Sequence, residues 1–210
     1  IVSMGDVTGI LFDGIAIYGS GDITSTGTIN GGQHGIYITG AGDISSTGTV
    51  NGSQSGLLVG ASGNITSMGN VTGTLLDGIL VLGSGDITST GDVSGHDYGI
   101  RVGGSGDIIS IGDVTSGQIG IRVGGSGDIS STGNVFSGQT SILVTGSGSI
   151  ISVGDVTSLL ADGIVISLGG DISSTGNISA DDYGIFSGGA GDIISTGNVS
   201  AGQFGIFTGG

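Results

Sequence analysis

A chain of 210 residues with 51 glycines, four tyrosines, five phenylalanines and no tryptophan, lysine, glutamate, proline or cysteine is not an ordinary globule. Its mean hydropathy is positive, which excludes a disordered low-complexity tract, and no run of 18 apolar residues offers a membrane-spanning helix. The net charge is −15 and the only cations are Arg101 and Arg122, too few to neutralise phosphates on nucleic acid or to dock a basic face on an anionic membrane.

From its start the chain reads as a repeat. It opens inside a unit at Ile1, and later units begin at Gly21, Gly42, Gly63, Gly85, Gly106, Gly127, Gly148, Gly170 and Gly191, most often as Gly-Asp-Ile. The spacing is 21 residues, rising to 22 in the coils that hold Leu75-Leu76-Asp77 and Leu159-Leu160-Ala161-Asp162; Leu11-Phe12-Asp13 of the first coil matches this longer form. The unit reads G-D-I-x-S-x-G-[D/N/T]-[V/I]-x-small, then a short loop, then G-I-x-[V/I]-x-G.

Within each unit side chains alternate with period 2. In the second coil Ile23, Ser25, Gly27 and Ile29 face one way and Thr24, Thr26, Thr28 and Asn30 the other; past the loop at Gln33-His34, Ile36 and Ile38 face in and Tyr37 faces out. This is the alternation of strands, not the 3.6-residue period of helices. The pattern predicts three short strands per coil. Stacking must bury what one coil alone cannot. At a rung spacing of roughly 4.8 Å, ten coils give a rod of about 48 Å.

Stacking places equivalent residues in columns. The first holds isoleucine in all ten coils, from Ile1 to Ile193, and the second runs from Val7 to Val199. The third runs from Ile15 to Ile206 with Leu57 as the one variant, and the fourth from Ile17 to Ile166 before weakening at Ser187 and Thr208. An inward serine recurs from Ser3 to Ser195 and reads as a buried hydroxyl ladder at a bend. A glycine recurs two residues later, from Gly5 to Gly197, at a corner that needs an unusual φ or has no room for Cβ. None of these serines has a partnering base, so packing explains them better than nucleophilic chemistry.

The unit G-D-I-x-S-x-G-[D/N]-V … G-I-x-V resembles the repeats of bacterial autotransporter passenger domains and of the haemagglutinin-type adhesins of two-partner secretion. The resemblance covers the whole chain through a repeat style. It implies a right-handed parallel β-helix and an extracellular or cell-surface place. Within residues 1–210 the repeat leaves no room for the membrane-barrel translocator or the secretion-signal domain that those families carry, a departure from the resemblance. Absent cysteine fits a secreted bacterial protein.

Function is sought on the outside of the third strand. Its outward column reads Ala16, Tyr37, Leu58, Leu80, Arg101, Arg122, Leu143, Val165, Phe186 and Phe207. An apolar strip of this kind, about 480 Å² in area from the strand spacing, is expected either to contact a partner or to be covered by the chain's own loops. Tyr37, Leu58, Leu80, Arg101, Arg122, Leu143, Val165, Phe186 and Phe207 are therefore the candidate interface. Arg101 and Arg122 are expected to meet carboxylates of a partner or the chain's own Asp97 or Asp113.

Other classes fit less well. The column Asp22, Asp43, Asp86, Asp107, Asp128, Asp171 and Asp192 suggests calcium, but Gly-Gly-Ser-Gly-Asp departs from the calcium β-roll repeat. Turn aspartates that accept backbone N–H bonds are the preferred reading, with no cofactor. Threonine pairs such as Thr24/Thr26 suggest an ice-binding face, interrupted by Met68, Ile109/Ile111 and Ile151/Val153. His34 and His96 are lone loop residues three coils apart, so an enzyme is not expected.

The sequence thus predicts an all-β fold, a single-stranded parallel β-helix of ten coils. Residues 1–210 read as one continuous solenoid, uncapped at both ends, and are expected to be either a segment of a longer array or a unit that stacks end to end into a filament. The expected role is that of an extracellular spacer and adhesive element whose partners are copies of itself or another surface protein. A module that binds a glycan or ice is the alternative.

Overall fold

The computed structural model describes residues 1–209. Thirty short strands build three parallel sheets of ten strands each, and no helix is present among the described residues. Each coil contributes one strand to each sheet. In the third coil these are Ile44–Ser46, Val50–Gly52 and Leu57–Val59.

Every strand pairs with the equivalent strand one coil away. Ile65 stands between Ile44 and Ile87, Val71 between Val50 and Val93, and Ile79 between Leu57 and Ile100. The register holds across the 22-residue coils because their extra residue falls between the second and third strands: eight residues separate Val71 from Ile79, seven separate Val50 from Leu57. Most strands are three residues long. Four in the third sheet reach five, including Tyr98–Val102 and Ile119–Val123.

The aliphatic columns form one continuous core in which nearly all members are inaccessible to solvent. Each buried side chain contributes roughly 1.5–3 kcal/mol. Ser187, where the fourth column turns polar, is equally buried and donates its Oγ proton to the carbonyl of Gly189 at 3.1 Å.

The corner between the first and second strands joins the inward serine to the recurrent glycine. Ser67 Oγ donates to the Gly69 carbonyl at 3.1 Å, and Ser46, Ser89, Ser110 and Ser131 do the same in their coils. The glycine is required for room, not for φ: none of the column from Gly5 to Gly197 has a positive φ. A Cβ on Gly112 would lie 2.5 Å from the carbonyl carbon of Gly91 and 2.8 Å from the nitrogen of Asp92. Conformation does demand glycine at Gly170, with φ 143°, where the chain enters the ninth coil.

Side-chain ladders complete the hydrogen bonding where the chain turns. At each corner the carbonyl points away from the next coil, and a short side chain accepts that coil's N–H instead. The aspartates named above do this before the first strand: the N–H of Asp43 donates to Asp22 Oδ1 at 3.0 Å, that of Asp107 to Asp86 at 2.9 Å and that of Asp192 to Asp171 at 2.9 Å. The column thus accepts backbone N–H bonds, as expected of turn aspartates. A second ladder stands before the second strand, where the N–H groups of Asp113, Asn134 and Asp155 donate to Asp92, Asp113 and Asn134 at 2.8–3.0 Å. Serines supply a third after the third strand, from Ser62 through Ser84 and Ser105 to Ser126.

Candidate interaction surface

The outward column of the third sheet stands in register as expected, with Tyr37 beside Leu58, Leu80 beside Arg101, Arg101 beside Arg122, and Phe186 beside Phe207. It is less open than its direction implies. Leu58, Leu80 and Val165 are only 7–8 % exposed. Tyr37, Arg101, Arg122, Leu143 and Phe186 are half-buried, and Phe207 in the last coil is exposed.

Part of the cover comes from the loop residue three positions earlier. The His34 ring packs on Tyr37 with centroids 4.9 Å apart, and Tyr183 meets Phe186 edge-on at 5.6 Å. Tyr98 lies beneath the Arg101 guanidinium, 4.7 Å from centroid to Cζ. The direction of a side chain follows from period 2; its depth depends on what the preceding loop folds over it.

The most exposed apolar side chains stand on the 22-residue coils. Their extra residue bulges the loop and turns Leu11 and Phe12, Leu75 and Leu76, and Leu159 and Leu160 into solvent, at 40–74 % exposure. Each bulge is pinned by the aspartate that follows. Asp13, Asp77 and Asp162 accept, through Oδ1, the N–H of His34, Tyr98 and Tyr183 in the next coil, at 3.1, 3.3 and 3.1 Å. Bulged coil and aromatic-bearing coil are thus coupled three times along the rod. The repeated Leu-x-Asp-Gly-Ile text of the longer coils is the sequence signal for this unit, legible as a variant but not as a bulge.

Burial raises the carboxyl of Asp77 to about 6; the charge of Arg101 and the bond from the Tyr98 N–H oppose the rise, and Asp97 adds to it. Asp162 is raised for the same first reason, with Tyr183 opposing and Asp182 adding. His34 is held below its usual range by burial, against the pull of Asp13.

The folded chain holds the Asp77 proton more tightly than the unfolded chain. Its stabilising effect is therefore full below the unfolded value near 3.8 and is lost as pH rises through about 6. At about 1.4 kcal/mol per pH unit the ionised form costs roughly 3 kcal/mol at most. Asp77→Asn keeps an acceptor for the Tyr98 N–H without the charge. It is expected to melt higher than wild type at neutral pH, less what its lost attraction to Arg101 removes, and to match wild type near pH 4. Melting curves at the two pH values check this; a variant destabilised at neutral pH would contradict it.

The first sheet carries a second apolar pattern. Met68, Ile109, Ile111, Ile151, Val153 and Ile194 project into solvent at 47–59 % exposure, all in alternate coils. Large side chains two rungs apart flank a small one, so Ser130 lies in a hollow between Ile109 and Ile151 edged by Asp107 and Asp128. The threonine rows are therefore corrugated, not flat.

Among the described residues no three His, Cys, Asp or Glu side chains converge as metal ligands, and no helix is long and apolar enough to cross a membrane. His34 is half-buried on Tyr37, while His96 is an exposed loop residue in another coil. Compared with known proteins, the chain matches no family model, and no curated protein or solved structure shows significant similarity to it.

Proposed function

We propose that this β-solenoid is a structural and adhesive element of an extracellular or cell-surface fibre, a spacer that makes lateral contacts and performs no catalysis. The observation that carries the reading is the recurrence of exposed apolar bulges in the first, fourth and eighth coils, each beside the outward column of the third sheet. A rod built from identical rungs needs no such side chains for its own core, and exposed apolar groups that recur along one edge mark a contact line. The contact surface is this line together with Tyr37, Leu58, Leu80, Arg101, Arg122, Leu143, Val165, Phe186 and Phe207, and the partners are copies of the chain or another surface protein.

The test replaces Leu75, Leu76, Leu159 and Leu160 by serine together. Their side chains are exposed, so folding is expected to persist with the melting temperature within about 3 °C of wild type. Lateral association, followed by light scattering and negative-stain imaging across a concentration series, is expected to fall. Wild-type protein that stays as single rods at every concentration and on cells of its source would refute the adhesive role.

A further inference from the structure

Arg101 and Arg122 are the only cations of a chain with net charge −15, and they are neighbours. Their strands pair in register, so the two side chains leave the third sheet on adjacent rungs. Roughly 4.8 Å separates such rungs. Two like charges this close repel, and nothing in the fold requires both. Each Nε is buried without a hydrogen-bond acceptor, and among the described residues no carboxylate pairs with either guanidinium.

The carboxylates considered as partners each accept another bond. Asp97 Oδ1 accepts from Gln118 Nε2 at 2.8 Å. Asp113 Oδ1 accepts the N–H of Asn134 at 2.8 Å. Asp77 is 4 % exposed and bonds the Tyr98 N–H; it feels the charge of Arg101 without pairing with it. A single ring, Tyr98, supports both guanidiniums, with Arg101 Cζ at 4.7 Å and Arg122 Cζ at 6.0 Å from its centroid. Stacking on an aromatic face holds a guanidinium plane and leaves its edge free for an anion. Leu80 and Leu143 occupy the rungs on either side.

We propose that Arg101 and Arg122 form a binding site for a carboxylate, bridged between two guanidiniums held on Tyr98. The fork of a guanidinium matches the two coplanar oxygens of a carboxylate, and such bonds are stronger than neutral ones. The carrier must be weakly charged, because the surrounding field of the acidic rod repels a polyanion. A chain of uronic acid sugars spaced by neutral ones satisfies both conditions, and the half-buried position of the two side chains suits a slim ligand. The site lies on the face assigned to lateral contact but does not rest on that role, since a soluble sugar acid binds it whether or not rods associate.

The test is a titration of the full chain with a neutral-spaced glucuronate oligosaccharide, followed in wild type by the ¹H–¹⁵N resonances of the two arginine Nε groups and, in wild type and variants alike, by the backbone amides of Tyr98–Val102 and Ile119–Val123. Saturable shifts of both Nε signals in the millimolar range are expected, with at least roughly tenfold weaker binding in Arg101→Gln/Arg122→Gln. The same oligosaccharide with its carboxylates reduced to alcohols is expected to leave the signals unmoved. Absence of saturation, equal binding by the double variant, or equal binding of the reduced sugar would each overturn the proposal. Inorganic sulfate binding as tightly would overturn the choice of a carboxylate. A parallel sedimentation measurement separates the source: self-association abolished by the double variant while wild type ignores the sugar would place the carboxylate on a second copy and overturn the sugar acid. The serine variant of the leucine bulges, which tests lateral contact, is expected to bind the sugar unchanged.

Discussion

Gly112→Ala is expected to destabilise the rod by about 3 kcal/mol or more, although it adds a single methyl group. That methyl would press into the peptide between Gly91 and Asp92, with its carbon 2.5 Å from the Gly91 carbonyl carbon. Both neighbours are backbone, so no flexible side chain can yield. Relief requires the fifth and sixth coils to part at this corner. Parting them stretches the bond from the Ile111 N–H to the Ser89 carbonyl, 2.9 Å, and the bond from the Asp113 N–H to Asp92 Oδ1, 3.0 Å. Overpacking costs about 1–3 kcal/mol by itself, and buried backbone groups left without partners add to it. For a chain of this size the loss corresponds to a fall of roughly 10 °C in melting temperature. Gly5→Ala is the control, because Gly5 holds the same place in the first coil with nothing within 4 Å of its added Cβ. Paired melting curves by circular dichroism decide the matter: similar curves for the two variants would show that the glycine column does not set the coil spacing.

Ile121→Ala is expected to cost about 2–5 kcal/mol, in the upper part of that range. Ile121 is fully buried between Ile100 and Ile142 in the third column. Each coil commits at most four aliphatic side chains to the core, and both neighbouring coils are held at ladder spacing by hydrogen bonds. The walls cannot close on the hole, so the cavity persists. Leu143→Ala, on the half-buried outer column of the next coil, is expected to cost less than about 1.5 kcal/mol. Urea midpoints measure both. Hydrogen exchange adds a spatial test, since coils touch only their neighbours: protection should fall first in Tyr98–Val102 and Ile142–Val144 and least near Ile23. Uniform loss along the rod would indicate one cooperative unit instead.

The fold was legible because two periods reinforce one another. Period 2 within a coil tells in from out, and the return after 21 residues fixes which side chains stack, so even the polar end of the fourth column at Ser187 reads correctly as inward. The corner glycines were half legible: the sequence leaves unusual φ and lack of space as alternatives, and only the approach of Gly91 to Gly112 selects the second. The positions before the second strand also recur, as Asp or Asn from Asp6 to Asn198 with Thr28 and Thr49 the exceptions. Their role depends on a turned carbonyl that no residue type announces. The surface was the least legible part. Leu58 and Tyr37 both point outward, yet Leu58 is nearly inaccessible while Tyr37 is half-buried, because period 2 fixes direction and not depth. The bulges of the longer coils are visible as insertions, but their projection into solvent follows from the pinning of Asp13, Asp77 and Asp162 to the next coil.

The extra residue of the longer coils enters between the second and third strands and leaves all four columns aligned. This makes that corner a port in an otherwise rigid lattice. Added chain there escapes the rung geometry entirely, whereas one residue inserted after Ile108 would turn the exposed Ile109 inward and the buried Ser110 outward. The rod can therefore lengthen or shorten only by whole turns, while decorations of any length can be hung on a single edge. Duplication of one turn would reproduce every ladder contact at both new junctions, so such a molecule can change its reach without redesigning its interior.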